Sequence, residues 1–312
     1  MPEPQQVHID AALTNLSIRY RNNDFIAEIL APRVSVRRQS NRYFVYDAAR
    51  EAIRSSDDLR SPGALATEVD YSLSTDSYYC GDHALASAVT DEERENADPV
   101  IQPEIDRTEF LTERILLNQE IGLKTLLRES SEIEENALAD GAEWNDPASD
   151  PLSDIRDARM AVFTNCQRRA NVIVLPYNVY EALRNHPDIV DRVKYSSGSV
   201  VTADLLAQLF DVERVLVPRC CVNTAAKGQS PNVEPVWSDA VYVAHVAQSP
   251  GLKQVTLANT FVWNSMPGAS DGIMVERWRE NGRKADMVRV QKYYDIKLIA
   301  PGAGFRIVNT LG

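Results

Sequence analysis

The residue types best suited to chemistry are four cysteines (Cys80, Cys166, Cys220 and Cys221) and four histidines (His8, His83, His186 and His245). A thiol beside an imidazole makes a nucleophile, and such a pair is built in space rather than in sequence, so Cys80 with His83, or Cys166 with His186, is what a cysteine hydrolase would use. Cys80-Gly-Asp-His83 also has the spacing of half a zinc site. No second pair at suitable spacing follows, because Cys220 and Cys221 are adjacent and point to opposite sides of a strand. Gly302-Ala-Gly304 is a fragment of a dinucleotide loop, but strand-like Phe305-Arg-Ile-Val308 follows where that motif requires a helix, which makes it a hairpin turn. The histidines have simpler places: His8 in a terminal segment, His83 at a strand edge, His186 at a helix end before Pro187, and His245 in an alternating strand. The residues thus predict no catalytic site, no metal and no cofactor.

Positioning is the task of the rest of the chain, and one stretch dominates it. From Pro103 to Glu129, Ile105, Phe110, Leu111, Ile115, Leu117, Ile121, Leu123, Leu126 and Leu127 recur mostly at three- and four-residue steps, the period of one helical face. Asp106 and Glu109 are spaced as a capping box, and Glu120 precedes Lys124 by four residues, the favourable order for a surface ion pair. At 1.5 Å per residue the helix is a rod of about 37 Å, which crosses most of a molecule of this size.

Before this helix, residues 1–41 form an arm with apolar anchor points and an excess of arginine, among them Arg37 and Arg38. Arg42-Tyr-Phe-Val-Tyr46 and Thr67-Glu-Val-Asp-Tyr-Ser-Leu73 have strand character and enclose a polar tip with Arg54, Asp57, Asp58, Arg60 and the turn pair Pro62-Gly63. Front end and hairpin are expected to have little internal surface to rest on. Residues 91–103 are an acidic connector. After the long helix the pattern becomes mixed: Asp150-Pro151 caps a helix to about Asn165, Val172-Ile-Val-Leu175 is a short buried strand, further helices begin at Pro176, Pro187 and Thr202, and strands follow at Arg214–Pro218, Val241–Val246, Thr260–Trp263 and from Ile273 onward.

Composition bounds the function classes. With 312 residues, 44% hydrophobic and 25% charged, the chain is globular and long enough for two domains. A net charge of -12 argues against a protein whose main task is gripping nucleic acid. No window approaches a membrane span and no secretion signal precedes the arm, so a cytosolic setting with reduced cysteines is expected.

Five phrases carry a resemblance: Phe110-Leu-Thr-Glu-Arg-Ile-Leu-Leu117, Trp144-Asn-Asp-Pro-Ala-Ser-Asp-Pro151, Asp157-Ala-Arg-Met-Ala-Val162, Arg184 through Lys194, and Thr202-Ala-Asp-Leu-Leu206. With the order of parts (basic arm, long hairpin, acidic connector, long helix, mixed region, final strands), the chain resembles the major capsid proteins of tailed bacteriophages, the Hong Kong 97-like fold. The resemblance implies an α+β architecture: N-terminal arm 1–41, extended loop 42–90, peripheral domain 91–175 with spine helix 104–129, a mainly axial domain 176–285, and C-terminal strands 286–312 returning to the peripheral domain.

It further implies a non-enzymatic shell subunit that self-assembles as pentamers and hexamers around packaged double-stranded DNA, touched weakly and non-specifically, in a virion assembled in the host cytoplasm. A separate scaffolding protein, a portal and a decoration protein are the implied partners, and no membrane is. Some relatives join subunits through a loop lysine and an asparagine, but residues 42–82 contain no lysine and the first is Lys124. No isopeptide cross-link is therefore expected, and noncovalent contacts through Arg37, Arg38, Arg54, Asp57, Asp58, Arg60, Glu109 and Glu113 are. Two rivals stand: an encapsulin-like nanocompartment of the same fold, and a cytosolic α/β enzyme with a cysteine nucleophile.

Overall fold

The computed structural model describes residues 8, 9, 13, 14, 16, 17, 24–45, 59, 62, 63, 65, 68, 74–97, 102–193, 201–226, 228–238, 240–249, 254–265 and 272–311. The first half of the chain contains β1 (His8–Ile9), α1 (Ala27–Leu30), β2 (Arg33–Val36), β3 (Ser40–Val45), β4 (Ser74–Tyr79), β5 (Gly81–Thr90), α2 (Asp91–Glu95), α3 (Pro103–Glu129) and β6 (Glu134–Ala137). The second half contains α4 (Pro151–Cys166), β7 (Val172–Val174), α5 (Tyr177–Asn185), α6 (Pro187–Val193), α7 (Ala203–Leu209), β8 (Arg214–Leu216), β9 (Cys221–Asn223), β10 (Val233–Pro235), β11 (Ala240–Ala244), β12 (Ala258–Trp263), β13 (Ile273–Glu280), β14 (Ala285–Leu298) and β15 (Gly304–Val308).

The long helix is present as the 27 residues of α3, and its buried side chains include Thr108, Leu111, Thr112, Ile115, Gln119, Leu123 and Leu127, spaced as one face. It begins with Pro103 in the first turn, where a missing N–H costs nothing, and Gln102 at the cap makes no side-chain bond. The spacing of Asp106 and Glu109 therefore marks no helix start. Phe110 lies off the buried face, with the Arg114 guanidinium 5.2 Å from its ring centre. Glu120 is the larger surprise. Expected at the surface with Lys124, it neighbours Gln119 on the inward face and is fully buried.

Two sheets pack on this helix. In the first, β14 pairs with β5 over Ala285–Tyr294 and with β13 over Ala285–Lys292, so these two flank it; beyond that it pairs with β12, which pairs in parallel with β2. Leu111 and Ile115 from the first half of α3 pack with Val275, Val288 and Val290 of this sheet. The second sheet has the order β6-β15-β11-β7-β8. Leu123 and Leu127 from the other half of α3 join its core with residues of α4, α5 and α7. Full burial of a leucine contributes about 1.5–3 kcal/mol before entropy is counted, and one helix gives such anchors to both sheets.

Each sheet draws its strands from distant parts of the chain. Strands β6 and β7, expected with the peripheral segment 91–175, join β11 and β15 in one sheet. The C-terminal strands do not stay together either, since β14 belongs to the first sheet and β15 to the second. Gly302-Ala-Gly304 is consequently no hairpin turn but the crossing between sheets, made by a 3-10 turn at Pro301–Ala303. Gly304 makes room there for the Leu257 side chain, since a Cβ would sit 2.6 Å from its Cδ1 atom and push that methyl aside. β11 is buried at all five positions rather than alternating, as befits a strand between β15 and β7 with both faces covered, and His245 lies just past its end.

The acidic connector opens with the short helix α2, capped by the Thr90 hydroxyl, which accepts from the Glu93 N–H. Described parts of the arm do find internal support: Leu13 packs with Leu111 and Ile115, and Ile26, Ala27 and Leu30 enter the main core. The β3–β4 hairpin, by contrast, is a separate two-stranded sheet exposed over most of its length. Its return strand is β4, six residues long and paired with β3 from Ser40 opposite Tyr79 to Val45 opposite Ser74. The expected strand at Thr67–Leu73 lies, apart from Glu68, outside the described residues.

Candidate subunit interface

The hairpin is held at its root and exposed along its length. The Tyr78 ring stacks on Phe261 of β12 at 4.7 Å, and Tyr43 meets the same ring at 5.0 Å. The Cys80 N–H donates to the Gln39 carbonyl at 2.8 Å, the Gln39 side-chain amide donates to the Cys80 carbonyl at 3.0 Å, and the Tyr79 N–H donates to Asp295 at 2.9 Å. Further out, the Tyr43 hydroxyl donates across the ribbon to Asp76 at 2.8 Å. Burial, followed by this bond, raises the Tyr43 pKa, while the Ser77 N–H and Tyr43 lower that of Asp76. Phe44 and Tyr79 point into solvent, 52% and 63% exposed, and at the tip Leu59 and Leu65 are 90% and 97% exposed. The turn pair is as expected: Gly63 has φ +85°, the conformation that favours glycine after proline.

Arg37 and Arg38 lie on the turn between β2 and β3. Their backbones are fixed, the Arg37 carbonyl accepting from the Trp263 indole at 3.2 Å and the Arg38 carbonyl from the Tyr78 hydroxyl at 3.2 Å. Their side chains, with that of Arg42, are exposed. Glu109 and Glu113 stand on the outer side of α3; Glu109 is half-buried, and Glu113 lines a shallow groove with Asp24, Arg114 and Arg219. The structure does not bring the two arginines and the two glutamates into one site. Arg54, Asp57, Asp58 and Arg60 lie outside the described residues.

Two polar assemblies that the sequence hid hold the projecting parts in place. Where strand β5 of the first sheet runs into α2 and α3, six side chains alternate in sign. Arg279 grips Asp91 at 2.6 and 2.5 Å and reaches Asp286 at 3.4 Å; Arg94 bonds Asp286 at 2.5 Å and Glu104 at 2.9 Å; Arg277 closes on Glu104 at 2.6 Å. The Arg279 bonds hold the Asp91 carboxyl below the usual carboxylate range. The second assembly surrounds Glu120, which accepts from the Ile26 N–H at 3.2 and 3.1 Å, the Ala27 N–H at 2.8 Å and the Trp237 indole at 2.7 Å. Burial pushes the Glu120 carboxyl up, and the three donors oppose that.

The residues singled out for chemistry are dispersed. The Cys80 thiol donates to the Phe261 carbonyl at 3.5 Å, and the His83 ring lies on Tyr294 with centres 4.1 Å apart. The Cys166 thiol donates to the Arg168 carbonyl at 3.6 Å, whereas His186 accepts at Nδ1 from the Asp188 N–H and places Nε2 3.2 Å from both the Asp146 carbonyl and the Ser149 hydroxyl. Burial raises the Cys80 thiol to about 11 and that of Cys220 to about 12, the opposite of an activated nucleophile. Among the described residues, no group of His, Cys, Asp and Glu is placed to hold a metal ion, and no helix is long and apolar enough to cross a membrane.

What the molecule offers is a two-sheet body, a bracing helix and a protruding ribbon. No family model matches the chain. The major capsid protein of Pseudomonas phage JBD67 is 31% identical over 234 residues, 73% of this chain and 74% of that protein, and the major capsid protein of Burkholderia phage BcepMu is 25% identical over 97% of both. Among solved structures, a phage-related protein from Bordetella bronchiseptica RB50 superposes with TM-score 0.76 at 22% identity over 97% of both chains. The mature capsid of bacteriophage PhiM1 gives 0.56 at 14% identity over 94% and 89%, and the SrpI encapsulin of Synechococcus elongatus PCC 7942 gives 0.53 at 12% identity over 96% and 95%. The architecture is that of a shell subunit with the Hong Kong 97-like fold. The chain belongs to the major capsid proteins of tailed bacteriophages, which assemble in many copies to form the capsid of the virion.

Proposed function

We propose that this chain assembles as pentamers and hexamers of an icosahedral head enclosing double-stranded DNA, each copy laying its β3–β4 ribbon on the next. The observation that carries this reading is the ribbon itself. An isolated two-stranded hairpin is marginally stable in water, yet this one extends from an aromatic root with Phe44 and Tyr79 uncovered. A neighbouring copy completes it. Arg37, Arg38 and Glu113 supply exposed charge for the same purpose, with Arg54, Asp57, Asp58 and Arg60 of the tip and half-buried Glu109 as further contacts. Each pair is weak at a solvated surface, and repetition around a shell multiplies the effect.

In this reading the first sheet with α3 is the peripheral part and the second sheet with α4 to α7 the axial part. The subunits meet noncovalently and catalyse nothing. A scaffolding protein, a portal and a decoration protein are its partners during assembly in the host cytoplasm, and the acidic surface keeps DNA contact weak. The test is to express the full chain and image the product by negative stain. Closed particles containing nuclease-protected DNA support the proposal, closed particles around protein cargo would support the encapsulin-like alternative, and a monodisperse monomer or dimer would overturn both.

A further inference from the structure

The second sheet has two edges of opposite charge. At one edge, the segment from Glu129 to Glu143, which contains β6, carries six acidic side chains and no basic one. Glu132, Glu134 and Asp140 of this segment are exposed. Toward the β7–β8 edge, a groove of about 290 Å³ runs along the flank of α4, lined by Arg156, Arg159, Met160, Phe163, Arg169 and Asp211. Asp211 lies in the turn leading to β8, and Arg169 precedes β7, so the groove opens on the side of the sheet away from β6.

The groove is cationic in a chain of net charge -12. Arg159 is held by Asp211, and among the described residues Arg156 reaches its neighbours Asp157 and Ser153, at a pair left two-thirds exposed. Between the arginines, Met160 and Phe163 are 57% and 47% exposed. Guanidiniums around uncovered apolar side chains fit an acidic protein surface with some apolar area, a composition favoured at interface centres.

A ring generated by rotation joins unlike faces, one face of each copy meeting the other face of the next. We propose that the α4 groove docks the 129–143 edge of a neighbouring copy, with Arg156 and Arg169 facing Glu132 and Asp140 and with Met160 and Phe163 covered between them. This pairing rests on the ring-forming shell reading above. It adds which surfaces meet and in which order around the ring.

Charge exchange tests it in the full-length chain. Arg156→Glu with Arg169→Glu, and separately Glu132→Arg with Asp140→Arg, should each lower the fraction sedimenting as rings or particles about tenfold or more. Combining all four substitutions restores opposite charges across the contact and should bring assembly back. Groove variants that assemble like the wild type would overturn the pairing, as would groove variants that assemble normally but lose nuclease-protected DNA, which would assign the groove to nucleic acid. As a second arm, in a Cys221→Ser background, Arg169→Cys with Asp140→Cys should give a ladder of disulfide-linked copies on oxidation, and its absence would overturn the pairing whatever the four-fold variant does. Wild-type protein that sediments only as monomer would instead defeat the shell reading, before any variant is compared.

Discussion

Glu120 and Trp237 stand 117 positions apart and are joined by a 2.7 Å hydrogen bond from the indole N–H to the carboxylate, which also receives two backbone N–H groups of the arm. The spine helix, the arm and the loop before β11 thus meet on one buried acid. Glu120→Ala leaves three buried donors without an acceptor. At about 1–3 kcal/mol for each unsatisfied group, the expected loss is about 3 kcal/mol or more, measured by denaturant unfolding, with faster hydrogen exchange at Ile26 and Ala27. Glu120→Gln keeps one carbonyl oxygen and is expected to cost less than half as much.

The same carboxyl sets a pH dependence of definite sign. Its folded-state pKa lies above the ordinary 4.5, so the folded state holds its proton more tightly than the unfolded one. Stability from this group is therefore greatest below the unfolded value and declines as pH rises through the folded value. Asp91 has the opposite sign: its lowered pKa gives stability above the unfolded value, lost as pH falls through the folded one. Melting temperatures followed from pH 3 upward should show Glu120→Gln removing a decline on the rising side of the curve and Asp91→Asn removing part of the acid loss.

Thiol reactivity checks the absence of an activated cysteine. Cys80, Cys166 and Cys220 are buried, and burial raises all three pKa values; Cys221 alone is exposed. One thiol per chain should react rapidly with an aromatic disulfide reagent at neutral pH, and the other three only on unfolding. A rapid second thiol would show a site that the burial pattern does not contain.

The periodic parts of this fold were legible in the sequence because their residues answer local rules. The spine helix follows from its apolar spacing, α4 from Asp150 accepting the Ser153 N–H before Pro151, and α7 from the Thr202 cap. Glu120 was misread because helical periodicity locates a face only to within a residue or so, and an ion-pair spacing with Lys124 is equally satisfied by a glutamate turned inward. The network of Asp91, Arg94, Glu104, Arg277, Arg279 and Asp286 joins residues 173 to 192 positions apart, which no local pattern reports. Sheet partners behave likewise: nothing in Gly304-Phe-Arg-Ile-Val308 says whether it follows β14 or crosses to β11. On the proposed contacts, Arg37 and Arg38 were findable as an exposed basic pair, whereas the α4 groove emerges only when Asp211 and Arg169 are brought beside the helix.

That network also makes a quantitative expectation. Arg94 is more than one-third exposed and its partners are about one-quarter exposed, so each pair is partly screened by solvent and is worth roughly 0–1 kcal/mol alone. Sharing changes the arithmetic: Arg94→Ala leaves Glu104 with Arg277 alone and Asp286 with Arg279 alone among the described residues, so a double-mutant cycle of Arg94→Ala with Glu104→Ala should return a coupling of about 0.5 kcal/mol or more, reduced in high salt. Additive effects at low salt would mean that the six groups act as separate surface pairs.

The ribbon gives the sharpest separation of folding from assembly. Phe44→Ser with Tyr79→Ser removes side chains that the isolated subunit leaves in solvent, so unfolding of the monomer should change by no more than about 0.5 kcal/mol. On the proposed packing the same side chains lie against a neighbour, so their loss would remove apolar area from a contact repeated at every copy. Sedimentation should therefore show intact, folded subunits that no longer close into particles, or do so only at higher protein concentration. The root residue Tyr78 supplies the contrast. Its ring is 6% exposed and stacked on Phe261, so Tyr78→Ser should destabilise the subunit itself by about 3 kcal/mol or more. If Phe44→Ser with Tyr79→Ser assembles at wild-type concentration, the outer face of the ribbon is not where subunits meet.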